Sequence, residues 1–151
     1  MATGENGARR VALGMSGGVD SAVSAALLMR AGYEVVGVTC RFTDDAAADR
    51  AVGDAAAVCA RLGLRHVEWD CAALFESAVV QPFVDAYAAG LTPSPCVGCN
   101  ACCKLPSLLA AADELGCESV KRLTVENFSA IVSQDCVGGN LYTEGVAKYK
   151  K

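Results

Sequence analysis

A glycine-rich turn between an apolar run and an alanine-rich run constrains this sequence more than any other feature. Residues 11–13 are apolar and favour a β-strand, whereas residues 22–30 have the composition of a helix. The stretch that joins them reads Gly14-Met15-Ser16-Gly17-Gly18-Val19-Asp20-Ser21. Glycines let a ligand approach the backbone, and the unpaired N–H groups at the start of a helix attract an anion. The sequence therefore predicts a strand, a phosphate-binding turn and a helix.

The spacing of these glycines excludes the two commonest phosphate-binding motifs. The ATPase P-loop requires a lysine, and none lies between Gly14 and Ser21. The dinucleotide fingerprint requires Gly-x-Gly-x-x-Gly, which the glycines at positions 14, 17 and 18 do not match. The stretch from Ser16 to Ser21 instead reads Ser-Gly-Gly-x-Asp-Ser, which resembles the PP-loop of ATP pyrophosphatases. The resemblance implies that the turn binds ATP and that Asp20 binds Mg²⁺, an ion that prefers one or two carboxylates together with phosphate oxygens.

Predicted strands and helices alternate along the chain as far as residue 120. The strands are predicted at residues 11–13, 34–40, 65–70 and 118–120, and the helices at residues 22–30, 44–62, 71–89 and 107–115. This alternation predicts an α/β fold, a doubly wound parallel sheet with helices on both faces. Ligands bind beyond the carboxyl ends of the strands in such sheets, where residues 14–21 and Cys40 fall.

The chain divides into three predicted regions. We expect a disordered N-terminus over residues 1–8, a PP-loop ATP-binding catalytic domain over residues 9–120 and a divergent tail of unknown fold over residues 121–151. Within the domain, Asp44 and Asp45 are candidates for a helix N-cap, and His66 is expected to have a structural role. Three further cysteines are expected to be buried and inert: Cys59, Cys71 and Cys117.

Net charge, hydrophobic content and cysteine count limit the classes of protein to which the chain can belong. The net charge of −4 argues against a broadly basic nucleic-acid surface. Although 53% of the residues are hydrophobic, no apolar run approaches the ~18 residues of a membrane span. We therefore expect a cytoplasmic protein without membrane contact. Nine cysteines in such a chain indicate thiol or metal chemistry rather than disulfides.

Four of these cysteines follow a predicted loop over residues 90–95, which contains one glycine and two prolines. They are Cys96, Cys99, Cys102 and Cys103, and we expect the loop to continue through them. The spacing Cys-x-x-Cys-x-x-Cys is compatible with a zinc or iron–sulfur site, a redox dithiol, or a nucleophilic cysteine that carries sulfur as a persulfide. Lys104 is close enough in sequence to lower the pKa of a neighbouring thiol.

Further segments resemble a specific family. Together with the turn, three segments are similar to the tRNA-uridine 2-sulfurtransferases of the MnmA or TrmU type. They are Gln81-Pro82-Phe83, the strand end Gly37-Val38-Thr39 and the stretch Gly90-Leu91-Thr92-Pro93-Ser94-Pro95-Cys96-Val97-Gly98-Cys99-Asn100. The resemblance runs in order from about residue 9 to residue 120. It implies an adenine nucleotide alpha hydrolase-like fold, ATP as cosubstrate, and tRNA and a persulfide sulfur donor protein as partners.

The resemblance also implies roles for individual residues. Residues 14–21 would bind ATP, and Cys40 would line its adenosine side. Ser94, Pro95 and Cys96 would approach the target base, and Cys99 would be the catalytic nucleophile that carries the sulfur. The implied reaction adenylates the 2-carbonyl oxygen of the wobble uridine, releases pyrophosphate, and then replaces AMP with sulfur to give 2-thiouridine.

The sequence departs from the family pattern in two places. Many relatives have aspartate at the position of Cys96, and the resulting Cys96-x-x-Cys99 pair, extended by Cys102, fits members thought to hold an iron–sulfur cluster. Beyond residue 120 the family continues with a Gly-His-Tyr segment that is absent here, and Cys136 is only a weak candidate for a second catalytic cysteine. We therefore expect a truncated or short form. The alternatives are a PP-loop enzyme that modifies a small molecule, by sulfur insertion or amide formation, and a non-catalytic nucleotide- or metal-binding fragment.

Overall fold

Four parallel strands form one sheet in the computed structural model, which describes residues 9–121. The strands are β1 (Arg10–Gly14), β2 (Glu34–Arg41), β3 (Arg65–Asp70) and β4 (Ser119–Lys121), in the spatial order β3-β2-β1-β4. Helices α1 (Val19–Arg30) and α2 (Ala46–Leu62) connect the first three strands. The predicted disordered N-terminus, the predicted tail after residue 121 and Cys136 lie outside the described residues.

Two helical rods connect β3 to β4. The first helical rod, residues 72–88, consists of α3 (Ala72–Phe75), a π-helical turn (Glu76–Val80) and α4 (Gln81–Ala88). The second helical rod, residues 95–114, consists of α5 (Pro95–Cys99), a π-helical turn (Asn100–Lys104) and α6 (Leu105–Glu114). Within the described part of the chain, no helix has the length and apolarity that crossing a bilayer requires.

The strand order creates a switch point at β1. From β1 the chain passes through α1 to β2 on one side, and it returns through the two rods to β4 on the other side. All three strand pairs are parallel, and Gly14 at the end of β1 is in register with Val38 of β2. Where the strand order reverses in this way, the loops after the two neighbouring strands diverge to opposite faces of the sheet and leave a crevice at the carboxyl ends of the strands. The predicted doubly wound parallel sheet is confirmed.

Helices cover both faces of the sheet because the side chains of β1 alternate between them. On one face, β1 packs against α1 and α2 in a cluster that includes Val11, Leu13, Ala25, Leu28, Ala55 and Cys59. On the other face, β1, β2 and β4 pack against α6 in a cluster that includes Ala12, Val38, Val120, Leu108, Ala111 and Ala112. This continuous burial of both faces explains why β1 and β2 are apolar along most of their length.

The expectation of a loop through the cysteine segment is wrong. Residues 95–104 are helical and continue into α6 without interruption, so this helix begins twelve residues before the predicted start at residue 107. Pro95 occupies the first turn, where its missing N–H costs nothing. The buried residues Cys99, Cys103, Ser107 and Ala111 recur every four positions and form the stripe that packs the rod onto the sheet.

Two other helix boundaries also differ from the prediction. Helix α1 begins at Val19 rather than at residue 22, because Gly18 is its extended N-cap and the last three residues of the predicted turn already form the first helical turn. Helix α2 begins after Asp45, whose carboxylate accepts hydrogen bonds from the N–H groups of Ala47 and Ala48. These contacts make Asp45 the N-cap, and its hydrogen bonds to the backbone lower the pKa of its carboxyl group.

We expect Gly37→Ala to destabilise the fold by about 1–3 kcal/mol, the usual cost of overpacking a core. A Cβ at Gly37 would lie 2.6 Å from Sγ of Cys59 and 2.9 Å from Cγ of Met15, both in the core between β2 and α2. Urea unfolding measures the change. Gly53→Ala is the matched control, since a Cβ there meets no atom within 4 Å and alanine should stabilise α2 by about 0.5–1 kcal/mol. Equal stability of the two variants would contradict this packing.

Candidate functional site

A cleft of about 600 Å³ opens at the edge of the sheet where β1 and β2 end. The turn after β1, the end of β2, the start of α2 and the second helical rod together form its walls. Of the residues predicted to bind ATP, six line the cleft: Gly14, Met15, Ser16, Asp20, Ser21 and Cys40. The other three, Gly17, Gly18 and Val19, are not part of its lining.

Gly17 fixes the shape of the turn. Its φ is +76°, and a Cβ there would lie 2.9 Å from Cβ of Asp54 and 3.0 Å from the backbone N of Ala55 in α2. No other residue fits at this position, because any side chain would combine a strained backbone with a collision against a helix. The turn therefore lies directly against α2, and glycine is required by the packing.

Two serines hold the turn from within. The hydroxyl of Ser21 donates to the carbonyl of Gly18 at 3.0 Å and lies 3.3 Å from the hydroxyl of Ser16. The backbone N–H of Gly18 donates to Ser16 Oγ at 3.3 Å. Helix α1 has no side-chain hydrogen bond from its N-cap among the described residues. The first N–H groups of α1 thus have the unpaired donors and partial positive charge that favour an anion at the cleft.

In the described part of the chain, three charged residues line the cleft: Asp20, Arg41 and Lys104. Asp20 is exposed in the first turn of α1. The guanidinium of Arg41 bonds Glu68 and Asp49 and lies 4.0 Å from Asp44, so its charge is already balanced by carboxylates. The ammonium of Lys104 lies 5.6 Å from the centre of the Phe42 ring, a distance that permits a cation–π interaction.

The cysteines of the second helical rod do not line the cleft, although Asn100 and Lys104 of the same rod do. Cys99 is 9% exposed and packs with Cys71, Val79 and Cys103 in an apolar cluster beside the cleft. Cys96 and Cys102 are exposed. Ser94 is the extended N-cap of α5, and it is exposed together with Pro95.

Cys40, which lines the cleft, borders this cluster from β2. Burial and the neighbouring Cys71 raise the pKa of Cys40 to about 12, although Lys104 opposes the shift. Burial raises the pKa of Cys103 to about 11, with Cys71 and Cys99 contributing. These thiols are therefore protonated at neutral pH and behave as apolar groups.

The residues present fit Mg²⁺ but not an iron–sulfur cluster or zinc. Asp20 fits a Mg²⁺ that is shared with a bound phosphate, because it is exposed at the cleft and Mg²⁺ binds one or two carboxylates together with phosphate oxygens. Cys96, Cys99 and Cys102 do not fit an iron–sulfur cluster or zinc, since residues 9–121 contain no group of three or more potential ligands close enough to bind a metal. Cys99 is buried whereas Cys96 and Cys102 are exposed. Cys96 and Cys102 are also six residues apart, which separates their side chains by about 120° around the helix.

The sequence prediction missed several residues of the lining. Phe42 and Thr43 follow the predicted end of β2, and α2 contributes Ala47, Ala48, Ala51 and Val52. No polar motif marks any of them. Asn100 and Lys104 could have been located only by recognising that the cysteine segment is helical, since they are four positions apart and so share a helix face.

Comparison with known proteins agrees with this architecture. The tRNA methyl transferase HUP domain family matches residues 9–123. This chain belongs to that family. Among related HUP-domain proteins, the tRNA-specific 2-thiouridylase MnmA 1 of Bacteroides fragilis is 47% identical over 108 residues, which are 72% of this chain and 30% of the relative. The tRNA-specific 2-thiouridylase MnmA of Agrobacterium fabrum is 44% identical over 120 residues, 74% of this chain and 30% of the relative. The resemblance to the 2-sulfurtransferases is confirmed.

The same HUP fold occurs in more distant solved structures. The U34-tRNA thiolase NcsA from Methanococcus maripaludis, solved with its 4Fe–4S cluster, gives a TM-score of 0.57 at 17% identity and covers 88% of this chain and 44% of its own. A glutamine-dependent NAD+ synthetase from Acinetobacter baumannii, in complex with adenosine diphosphate, gives a TM-score of 0.55 at 23% identity, covering 82% of this chain and 23% of its own. At these identities the likeness shows the fold.

His66 supports the site from β3. Thr39 donates its hydroxyl hydrogen to the Met15 carbonyl at 2.9 Å, and its Oγ1 lies 2.9 Å from Nε2 of His66. Because a hydroxyl has one hydrogen, Nε2 of a neutral His66 donates to Thr39. This bond couples β3 to the residue at the start of the turn.

We expect the pKa of His66 to lie below the ordinary value of about 6.5, because burial outweighs the opposing effect of Glu68. The unfolded chain then takes up the proton more readily, so the contribution of His66 to stability is present above about pH 6.5 and is lost as the pH falls below it. NMR titration of the imidazole measures this directly, since the chain has one histidine. A midpoint at or above 6.5 would contradict the observed burial. His66→Gln should remove the corresponding step in stability against pH.

Proposed function

We propose that this chain provides the ATP-binding part of an enzyme that thiolates the wobble uridine of tRNA. It spans about 30% of the length of the curated relatives that it matches, and those relatives are named as tRNA-specific 2-thiouridylases. The observation that carries the proposal is the cleft itself. Its walls are the PP-loop turn on one side and the rod that contains Cys99 on the other.

The turn and α1 would bind the pyrophosphate end of ATP. Unpaired N–H groups and the helix dipole favour phosphate there, and Asp20 would hold a Mg²⁺ that neutralises part of the phosphate charge. The end of β2, with Cys40 and Phe42, would then face the nucleoside. Both side chains offer apolar surface to a base or ribose.

The first chemical step would be adenylation of the base. The 2-oxygen of uridine attacks the α-phosphorus of ATP while the N3 proton of the base is lost to solvent, the bond from this phosphorus to the bridging oxygen breaks, and pyrophosphate leaves. The protein contributes by orienting the two reactants and stabilising phosphate charge, which are the main sources of catalysis in phosphoryl transfer. The exposed Ser94, Pro95 and Cys96 would meet the base at the start of the rod.

The second step would transfer sulfur from Cys99. A persulfide on Cys99, loaded by a cytoplasmic donor protein, attacks carbon 2 of the adenylated base and displaces AMP. A thiol then cleaves the resulting S–S bond, which leaves 2-thiouridine and a disulfide. Only a thiolate is nucleophilic and soft enough to accept and pass on sulfur. Because Cys99 is 9% exposed, the rod has to shift before this residue meets a sulfur donor or a base.

Cys99→Ser should abolish formation of 2-thiouridine and leave ATP-dependent release of pyrophosphate with tRNA within about threefold of the original chain. The reason is that the thiol is needed only after adenylation. The assay combines a colorimetric measurement of pyrophosphate with mass spectrometry of the digested tRNA, in the presence of a persulfide donor. Cys102→Ser is the matched control, because Cys102 is an exposed thiol of the same rod and should be dispensable.

Three outcomes would contradict the proposal. Pyrophosphate release that needs a small-molecule acceptor instead of tRNA would indicate a different substrate. ATP binding without any turnover would indicate a non-catalytic fragment. Thiolation by the Cys99→Ser variant would show that another cysteine carries the sulfur.

A further inference from the structure

We propose that Lys104 binds the α-phosphate of the nucleotide, opposite the turn that holds the pyrophosphate end. The inference deepens the proposed function and rests on it, since it requires ATP in the cleft. The sequence alone predicts for Lys104 only a lowering of the pKa of a neighbouring thiol, whereas here this residue contacts the substrate.

The position of Lys104 is set by the second helical rod. Lys104 closes the π-helical turn that begins at Asn100, and both side chains line the cleft. The ammonium of Lys104 lies over the ring of Phe42, which in turn packs against Phe75 with ring centres 5.2 Å apart. The side chain is half-buried and held at the cleft wall, so little conformational entropy remains to be lost when it binds an anion.

Among residues 9–121, the charges of the cleft leave one cation for a ligand. Arg41 is the other basic residue in the lining, and three carboxylates surround its guanidinium. Lys104 forms no ion pair within 4 Å among residues 9–121, and its described contact is the Phe42 ring. ATP carries several negative charges. A Mg²⁺ held by Asp20 would balance those near the turn. Lys104 supplies the positive charge on the opposite wall.

The arrangement of the walls favours the α-phosphate over the outer phosphates. The turn and the start of α1 form the wall that would hold the pyrophosphate end. Lys104 instead lies beside Phe42, and it is close enough to Cys40 for its charge to oppose the rise in the pKa of that thiol. The end of β2 is the wall assigned to the nucleoside. A nucleotide that spans these two walls has its α-phosphate between them, next to the rod that also contains Cys99.

Calorimetric titrations of the full chain with ATP, AMP and inorganic pyrophosphate, each with Mg²⁺ present, test which phosphate Lys104 contacts. In Lys104→Met, we expect the affinities for ATP and AMP to fall by about 10- to 100-fold, the size of a charge-assisted hydrogen bond. The affinity for inorganic pyrophosphate should stay within about twofold, because its phosphates bind at the turn. Lys104→Arg keeps the charge and should recover most of the loss. Arg30→Met, which removes an exposed positive charge at the far end of α1, is the control for net charge.

Each remaining outcome overturns the inference. Unchanged binding of ATP and AMP to Lys104→Met would show that the ammonium does not contact the nucleotide. A loss confined to ATP and pyrophosphate would place it at the outer phosphates, and an equal loss in Arg30→Met would reduce it to a net-charge effect. If Lys104→Met does not fold, as judged by circular dichroism, Lys104→Gln takes its place in the same comparison. Failure of the unaltered chain to bind ATP would instead refute the proposed function.

Discussion

The contact between Gly17 and helix α2 is the constraint on which the site depends. A left-handed backbone and a gap of less than 3 Å to Asp54 leave room for a hydrogen atom and nothing larger. This contact brings the turn after β1 close to α2, whose first turns form one wall of the cleft. It also determines where α1 begins, and hence where its unpaired N–H groups lie. Stability and the proposed anion binding would therefore depend on the same few backbone atoms.

The second organising element is the helical rod over residues 95–114. Its buried stripe packs onto the sheet through Cys99 and Cys103, while Asn100 and Lys104 of the same rod border the cleft. The same rod thus places a thiol in an apolar cluster and a cation at the wall of the cleft. Burial raises the pKa of Cys40, which borders this cluster, and the pKa of Cys103 within it, so these two thiols are neutral at pH 7. Because Cys99 is buried in this cluster, the proposed transfer of sulfur from it would require motion of the rod, which would also move Lys104.

The β1–turn–α1 unit and the parallel sheet could be predicted from the sequence because they depend on local signals. Glycines 17 and 18 mark the turn, and the apolar runs of β1 and β2 indicate strands buried on both faces. Residues 107–114 of the rod lie within a predicted helix, but its first part, residues 95–104, could not be predicted because Gly98 and the prolines before it favour a loop locally. Its helical state depends on burial of Cys99 and Cys103 against residues distant in sequence, such as Cys71. Cysteine itself is ambiguous, since the same residue serves as a metal ligand, a nucleophile or a small apolar group.

A crystal structure of the chain with Mg²⁺ and a non-hydrolysable ATP analogue would show whether the turn after β1 binds the phosphates. We expect the β- and γ-phosphates to lie within hydrogen-bond distance of backbone N–H groups between Gly17 and Ser21, with the nucleoside against Cys40 and Phe42. A nucleotide bound elsewhere, or bound in the cleft with its phosphates directed away from α1, would contradict this expectation.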